Sequence, residues 1–433
     1  MKLVQNIIKR ICLSGGLERL PILSALKESL DTYLDTSRGP IERVLIVPPD
    51  FTRYHSGAGR LTQLYYSLLA PICKVDILPA LGTHFPMTEQ EKLKMFGPFI
   101  PREAFIDHNW RDDLVTVGQI PEAFVEKVSG GLISYPIEVT LNKRLLDRTY
   151  DLVISIGQVV PHEVVGMANY TKNILVGCGG TDLIHKSHML GAVYGMERLM
   201  GRTDSPVRAV FDYAQENFLK DIPLVYCLTV VSRDRGKNQI NGLFIGQGRQ
   251  TFEQAASLSQ RLNLDLVKKP LDKVVVYLRP EEFKSTWLGN KAIYRTRMAI
   301  KTGGDLIILA PGVRQFGEDS QIDRLILKYG YRGRDQILDL YKTEEDLQAN
   351  LSVAAHLIHG SSDGRFNIYY GAKHLSKSQI EGVGYFYIDY DEATSRYCPE
   401  SLEDGFNILP DGEEIFFISN PALGLWALEE NFL

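Results

Sequence analysis

Short apolar runs that end abruptly in polar turns recur along this chain, and they limit what it can fold into. Val44-Leu45-Ile46-Val47 stops at Pro48-Pro49-Asp50, Val75 to Ala80 stops at Leu81-Gly82-Thr83-His84, and Asp151 to Ile156 runs into Gly157-Gln158-Val159-Val160-Pro161-His162. Helical patterns stand between them: Leu61 to Leu69, and a segment opened by Thr88 with Glu91 three residues on, the spacing of a capping box. Strands that are apolar throughout must be covered on both faces, so this order predicts an α/β fold with a parallel or mixed sheet.

The rhythm restarts after a middle region. Leu224 to Val231 reads as a strand, Asn241-Gly242 as the turn of a hairpin between Arg235–Ile240 and Leu243–Ile245, and Glu253 to Leu264 as a helix. Lys273 to Leu278 is then a strand, Trp287 to Lys301 a helix closed by Gly303-Gly304, and Asp305 to Ala310 a strand. Asp323 to Leu327 and Glu344 to Leu357 read as helices, Ile380 to Tyr390 and Glu414 to Ser419 as strands. Two α/β domains are expected, 1–265 and 266–433, with the active site in the cleft between them.

Hydrophobic residues at 44% and charged residues at 23% exclude large-scale disorder. A net charge of −5 gives no electrostatic footprint for nucleic acid. Cys12, Cys73, Cys178, Cys227 and Cys398 form no C-x-x-C pair, which argues against a disulfide framework and for a reducing, cytoplasmic setting. Residues 1–10 read as a short amphipathic helix without a signal-peptide core. No run of about 18 apolar residues occurs, so neither a transmembrane helix nor a membrane partner is expected. A homo-oligomer is compatible with all of this.

In open α/β sheets ligands bind beyond the carboxyl ends of the strands. Three such ends carry Asp50-Phe51-Thr52-Arg53-Tyr54-His55, Gly82-Thr83-His84 and Pro161-His162-Glu163, so an Asp/Arg pair and two histidines are expected on one edge. Singly, each is an ordinary loop residue; together they point to a site.

The stretch from His162 to His188 is denser. Gly177-Cys178-Gly179-Gly180 offers backbone N–H groups to an anion but matches neither phosphate-loop pattern, and a plain glycine turn accounts for it. His185 and His188 stand three apart on one helical face, a start toward a zinc site, although His162-Glu163 is not part of an H-E-x-x-H motif.

His162, Lys172 and His188 are spaced ten and sixteen apart around Lys172-Asn173-Ile174-Leu175-Val176-Gly177. Upstream stand Asp50-Phe51-Thr52-Arg53 and Gly82-Thr83-His84, and downstream Lys291 in Trp287-Leu288-Gly289-Asn290-Lys291. This order resembles the nickel-dependent lactate racemase family, with its Asp-x-Thr-Arg and Gly-x-His motifs, its lysine-x-Ile-Leu-x-Gly between two histidines, and its Tyr-Gln-x-x-Lys motif. The resemblance runs from about residue 40 to 315.

It implies an isomerase, a racemase or epimerase that inverts C2 of a small-molecule 2-hydroxy acid by loss of a hydride and its return to the opposite face. It implies a nickel pincer nucleotide (nickel plus pyridinium-3,5-bisthiocarboxylic acid mononucleotide) tethered to Lys172, with His188 as nickel ligand and Asp50 and Thr52 on the cofactor. It implies His84 and His162 as the acid–base pair and Arg53 and Lys291 as cations for the substrate carboxylate. On its residues alone, Asp50 reads equally well as an Asx turn after Pro48-Pro49.

The sequence also departs from the family pattern. Asn169-Tyr170-Thr171 replaces Gly-Gly-Arg before the tether lysine, Trp287-Leu288 replaces Tyr-Gln, and Tyr54-His55 replaces a proline-led stretch. Tyr54, His55, Asn169 and Tyr170 offer hydrogen bonds to further hydroxyls, which points from lactate toward an aldonate such as gluconate or mannonate, or else they simply pack. Two other classes stay open: a zinc-dependent hydrolase or lyase built on His185 and His188, and a non-catalytic sugar-acid binding protein. His356-x-x-His359 reads as a surface or packed pair.

Overall fold

A computed structural model describes residues 7–13, 15–36, 39–234, 237–422 and 424–432. The chain divides into two units, Met1–Ser187 with Met200–Leu262, and His188–Leu199 with Asn263–Leu433; the division falls inside the helix Thr181–Tyr194. Each unit is α/β and is built on its own six-stranded sheet.

The first sheet comprises β1 (Ile7–Cys12), β2 (Arg43–Val47), β3 (Lys74–Ile77), β4 (Leu152–Gln158), β5 (Leu224–Asp234) and β6 (Lys237–Gly246), in the order β1-β6-β5-β4-β2-β3. From β3 to β5 the strands run parallel, while β6 and β1 are antiparallel to their neighbours. Val44 to Val47 and all of β4 are buried, as strands apolar on both faces require. Helix α1 (Ala58–Leu69) packs Leu61 and Tyr65 into a core that also holds Val44, Ile46, Ile154 and Ile156. Each such side chain contributes about 1.5–3 kcal/mol by leaving water. Helix α2 (Glu89–Phe96) opens with the expected capping box, in which Thr88 and Glu91 satisfy each other's backbone N–H.

Two local expectations for this unit are corrected. Residues 7–10 lie in a strand paired with β6, and residues 1–6 fall outside the described residues. Asn241-Gly242 is no hairpin turn: β5 and β6 join with Asp234 opposite Lys237, around residues 235–236, which also lie outside the described residues. Asn241-Gly242 instead forms the register shift inside β6, where Asn241 Oδ1 accepts the backbone N–H of Ser232 at 3.1 Å and its hydroxyl at 2.7 Å. The pair was spent on a bulge rather than on a turn.

The second sheet comprises β7 (Leu271–Tyr277), β8 (Ile300–Ala310), β9 (Asn367–Ala372), β10 (Phe386–Tyr387), β11 (Gly405–Ile408) and β12 (Glu414–Ile418), in the order β10-β9-β8-β7-β12-β11. All neighbours are parallel except β11 and β12. Val275, Ile307, Leu309 and Phe417 lie in a core cluster of this unit.

Three expectations are corrected here. The helix expected from Trp287 to Lys301 is two short ones, Thr286–Gly289 and Lys291–Thr296, separated at Asn290, whose Nδ2 donates to Tyr385 Oη at 2.9 Å. Gly303-Gly304 does not cap a helix but lies within β8, where Gly303 takes φ +81° in a register shift against β7. The strand expected over Ile380 to Tyr390 is mostly something else: it begins in the end of the helix Lys377–Gly382, which Ser376 and Gln379 open with a capping box, then turns, and only Phe386–Tyr387 pairs. No helix among the described residues is long and apolar enough to cross a membrane, and all five cysteines are free.

Candidate active site

In the first sheet β2 lies between β3 and β4, so the chain leaves β2 toward one side and returns on the other. A crevice at the carboxyl ends of β2 and β4 follows from that reversal. Asn173 spans it. Its Nδ2 donates to Val47 O at the end of β2 (3.1 Å) and to Ser155 Oγ in β4 (3.0 Å). That bridge pins the short helix α3 (Thr171–Leu175), and Lys172 with it, over the strand ends.

Asp50 follows β2 and is 5% exposed. Its Oδ1 accepts the backbone N–H of Thr52 at 3.2 Å and the Thr52 hydroxyl, which is the Asx-turn role. Its Oδ2 lies 2.6 Å from Nδ1 of His84, from the loop after β3. The Asx-turn reading of Asp50 holds on one oxygen, and the other oxygen meets His84. An ionised carboxylate only accepts, so Nδ1 of His84 carries a proton, and whenever the ring is neutral its lone pair is on Nε2. Burial pushes the Asp50 carboxyl up, but the hydrogen bonds from His84 and Thr52 and the charges of His84 and Arg53 outweigh it and hold it below the ordinary range.

His162 is set the other way. Its Nδ1 accepts the backbone N–H of Val164 at 3.1 Å, which puts the proton of the neutral ring on Nε2. Glu163 Oε2 stands 4.0 Å from the same Nδ1. The two histidines therefore carry opposite tautomers.

Lys172 keeps some surface, yet its ammonium is ringed by protein. Burial first, then the charges of Arg53 and Arg208, pull it down to about 8 against the opposing pull of Glu163 and Asp50. These charges tie the Asp50–His84 pair and the His162–Glu163 turn to one lysine. Arg53 itself is exposed, with its guanidinium against the carbonyl and hydroxyl of Thr52.

The turn before Lys172 is strained. Asn169 has φ +65° and Tyr170 has φ +58° with ψ −128°, conformations suited to the glycines that the family pattern has there. Each costs about 1–3 kcal/mol in a residue with a Cβ. Tyr170 is 3% exposed and packs on Tyr226 and Phe252 at 4.4 and 5.3 Å between centroids, so its ring belongs to the core. Asn169 Oδ1 accepts the Tyr170 N–H at 2.7 Å.

The glycine tetrad is a packing element. A Cβ on Gly177 would stand 2.3 Å from Asn173 O, and one on Gly179 would stand 1.9 Å from Leu175 O. Gly179 O also meets Nε2 of the buried His108 at 3.3 Å. His188 and Lys291 lie in the second unit, His188 on α4 (Thr181–Tyr194) and Lys291 at the start of the helix Lys291–Thr296. In that unit Trp287 stacks on His356 at 4.1 Å, and the His356 nitrogens meet the hydroxyls of Tyr294 (2.8 Å) and Tyr331 (3.0 Å). Burial first, and then the charge of His359, pull His356 down to about 3. The pair His356 and His359 is thus packed inside the unit.

Residues 18–199, which contain Asp50, His84, His162, Lys172 and Asn173, match the family described as the lactate racemase N-terminal domain. The match likens this part of the chain, 182 of its 433 residues, to a lactate racemase N-terminal domain. Among solved structures, a Thermotoga maritima protein matches with TM-score 0.76 and 24% identity, covering 94% of this chain and 98% of that one. The lactate racemase apoprotein from Thermoanaerobacterium thermosaccharolyticum matches with TM-score 0.67 and 18% identity, covering 95% and 89%. At these identities the likeness establishes the fold. No curated protein matches in sequence.

The residues of this site fit the tethered nucleotide that the resemblance implies. A lysine pulled down to about 8 offers a usable fraction of free amine near neutral pH for an acyl or thioacyl bond. The exposed Arg53 guanidinium and the Thr52 hydroxyl suit anionic groups on such a molecule. Among the described residues no three His, Cys, Asp or Glu gather as a protein-only metal site. A zinc site on His185 and His188 therefore has no third protein ligand among them, whereas a nucleotide that brings its own sulfur ligands needs only one. Sequence reasoning missed Asn173, Ser155 and Arg208. Asn173 stood in a variable slot of the motif, and Arg208 is a lone cation beside the apolar face of its helix.

Proposed function

We propose that this chain is a racemase or epimerase that inverts C2 of a 2-hydroxy acid, with a nickel pincer nucleotide on Lys172, His188 as the nickel ligand, and Asp50 and Thr52 beside the nucleotide. When bound, that group supplies acceptance and return of a hydride at the hydroxyl-bearing carbon. Arg53 and Lys291 hold the substrate carboxylate. His84, through the free lone pair on Nε2, takes the hydroxyl proton, and Asp50 steadies the imidazolium that results. His162, neutral with its proton on Nε2, hydrogen-bonds the substrate oxygen from that N–H, and the proton taken up by His84 returns to the oxygen as the inverted alcohol forms.

The observation that carries this reading is the opposite tautomers of His84 and His162 around a single lysine of depressed basicity. A neutral ring with its lone pair on Nε2 can take the hydroxyl proton while one with its proton on Nε2 holds the same oxygen by a hydrogen bond, and the pair supplies both at once. With Tyr170 buried, the case for a polyhydroxy substrate rests on Tyr54 and His55, and Tyr54 is 49% exposed. We extend the proposal to an aldonate on that ground, and to a cytoplasmic setting on the free cysteines. Protein produced together with the cofactor-making enzymes should scramble C2 of gluconate or mannonate. Turnover of lactate alone would end the sugar-acid version, and no turnover of any 2-hydroxy acid by loaded protein would end the racemase reading.

A further inference from the structure

The guanidinium of Arg208, on α5 (Pro206–Phe218), is buried directly beneath the strained turn that delivers Lys172. Its Nη2 donates to Met167 O at 2.7 Å and its Nη1 to Thr171 Oγ1 at 2.6 Å, while both reach Asn169 O at 3.4 and 3.5 Å. The group is stacked over Phe252, from α6 (Arg249–Asn263), at 4.4 Å and lies 5.8 Å from the Tyr170 ring. One planar cation thus gathers acceptors from residues 167, 169 and 171, on both sides of the two left-handed residues. Glycines would hold that turn at no steric cost, but Asn169 and Tyr170 do not.

We propose that Arg208 is a positioning residue for Lys172, a clasp that holds the Asn169–Tyr170 turn in its left-handed form and so fixes where the lysine emerges. A side chain with five donors in one plane can bind three acceptors at fixed angles, and lysine cannot. The inference rests on the tether role of Lys172 but is tested without the cofactor, so the two can fail separately. The charged groups acting on Lys172 are Arg53, Glu163, Arg208 and Asp50. Arg208→Lys keeps the charge and removes the fork, which leaves geometry as the variable.

Cofactor-free protein is labelled with an amine-acylating reagent across a pH series, and modification of Lys172 is read by peptide mass spectrometry. The wild-type midpoint is expected near 8. In Arg208→Lys the turn relaxes, the amine regains water, and labelling at pH 7 should fall by at least about tenfold, one pH unit of midpoint. Adding Asn169→Gly to that variant should bring the midpoint back, because glycine adopts φ +65° unaided. An unmoved midpoint in folded Arg208→Lys overturns the proposal, and so does a moved midpoint that glycine fails to restore, which would make Arg208 a general core residue. If Arg208→Lys does not fold, the near-isosteric Thr171→Val is read the same way, and an unmoved midpoint there overturns it equally.

Discussion

Asp50 Oδ2 and His84 Nδ1 stand 2.6 Å apart across two strand ends, and that contact decides which nitrogen of His84 is free to take a proton. Asp50→Asn should leave the fold intact and lower kcat by about 10²–10⁴-fold, because an amide in place of the carboxylate no longer selects the Nδ1–H tautomer. The same variant has a signature in stability. Asp50 titrates below its unfolded value, so it favours the folded state above the unfolded pKa and stops doing so as pH falls through the folded one. Thermal midpoints of cofactor-free protein should therefore drop less between about pH 6 and 3 in Asp50→Asn than in the wild type.

Lys172 carries a stability cost of the opposite kind. Its folded value of about 8 lies below the ordinary lysine value, so at neutral pH the folded state is penalised for holding the ammonium, and the penalty fades as pH rises toward 10.5. Lys172→Met should make the cofactor-free protein more stable at pH 7, by about 1–3 kcal/mol, and leave it nearly unchanged at pH 10. Urea denaturation at the two pH values measures this. In protein made with the cofactor enzymes, the same substitution should remove the covalent adduct from the intact mass, and its persistence would show that another residue is the tether.

Nickel content should separate the histidines. His188→Ala is expected to lose the metal, whereas His84→Ala and His162→Ala should keep it and turn over about 10²–10⁴-fold more slowly. Elemental analysis beside a racemisation assay reads both quantities, and full nickel in His188→Ala would remove His188 from the ligand set.

Gly177→Ala tests whether the glycine tetrad packs or binds. The added Cβ would meet Asn173 O at 2.3 Å and Ala80 Cβ at 2.6 Å, so a loss of about 1–3 kcal/mol in unfolding free energy is expected even without any ligand. A variant as stable as the wild type would mark the tetrad as an open turn.

What could be read from the chain was whatever local chemistry settles. The apolar runs at Val44–Val47 and Leu152–Ile156 became buried parallel strands, and Thr88 with Glu91 became a capping box, because burial on two faces and an N-cap need only neighbouring residues. Asp50, His84 and His162 stand past β2, β3 and β4 for the same reason. Illegible were features set by a distant partner. Asn290 divides a helix to reach Tyr385, Gly303 loops out of a strand beside Arg365, and Asn241 serves β5 instead of turning the chain. Asn173 and Arg208 belong to that group: nothing adjacent to either announces the strand ends or the turn they hold.

The helix that bears Lys172 is five residues long, too short to persist on hydrogen bonds of its own. Its place is held by Asn173 below and Arg208 beside it, together with the burial of Ile174 and Leu175. A descendant of this chain that loses either side chain loses, in a single step, a support on which the placement of that lysine depends, although neither residue meets the substrate carbon.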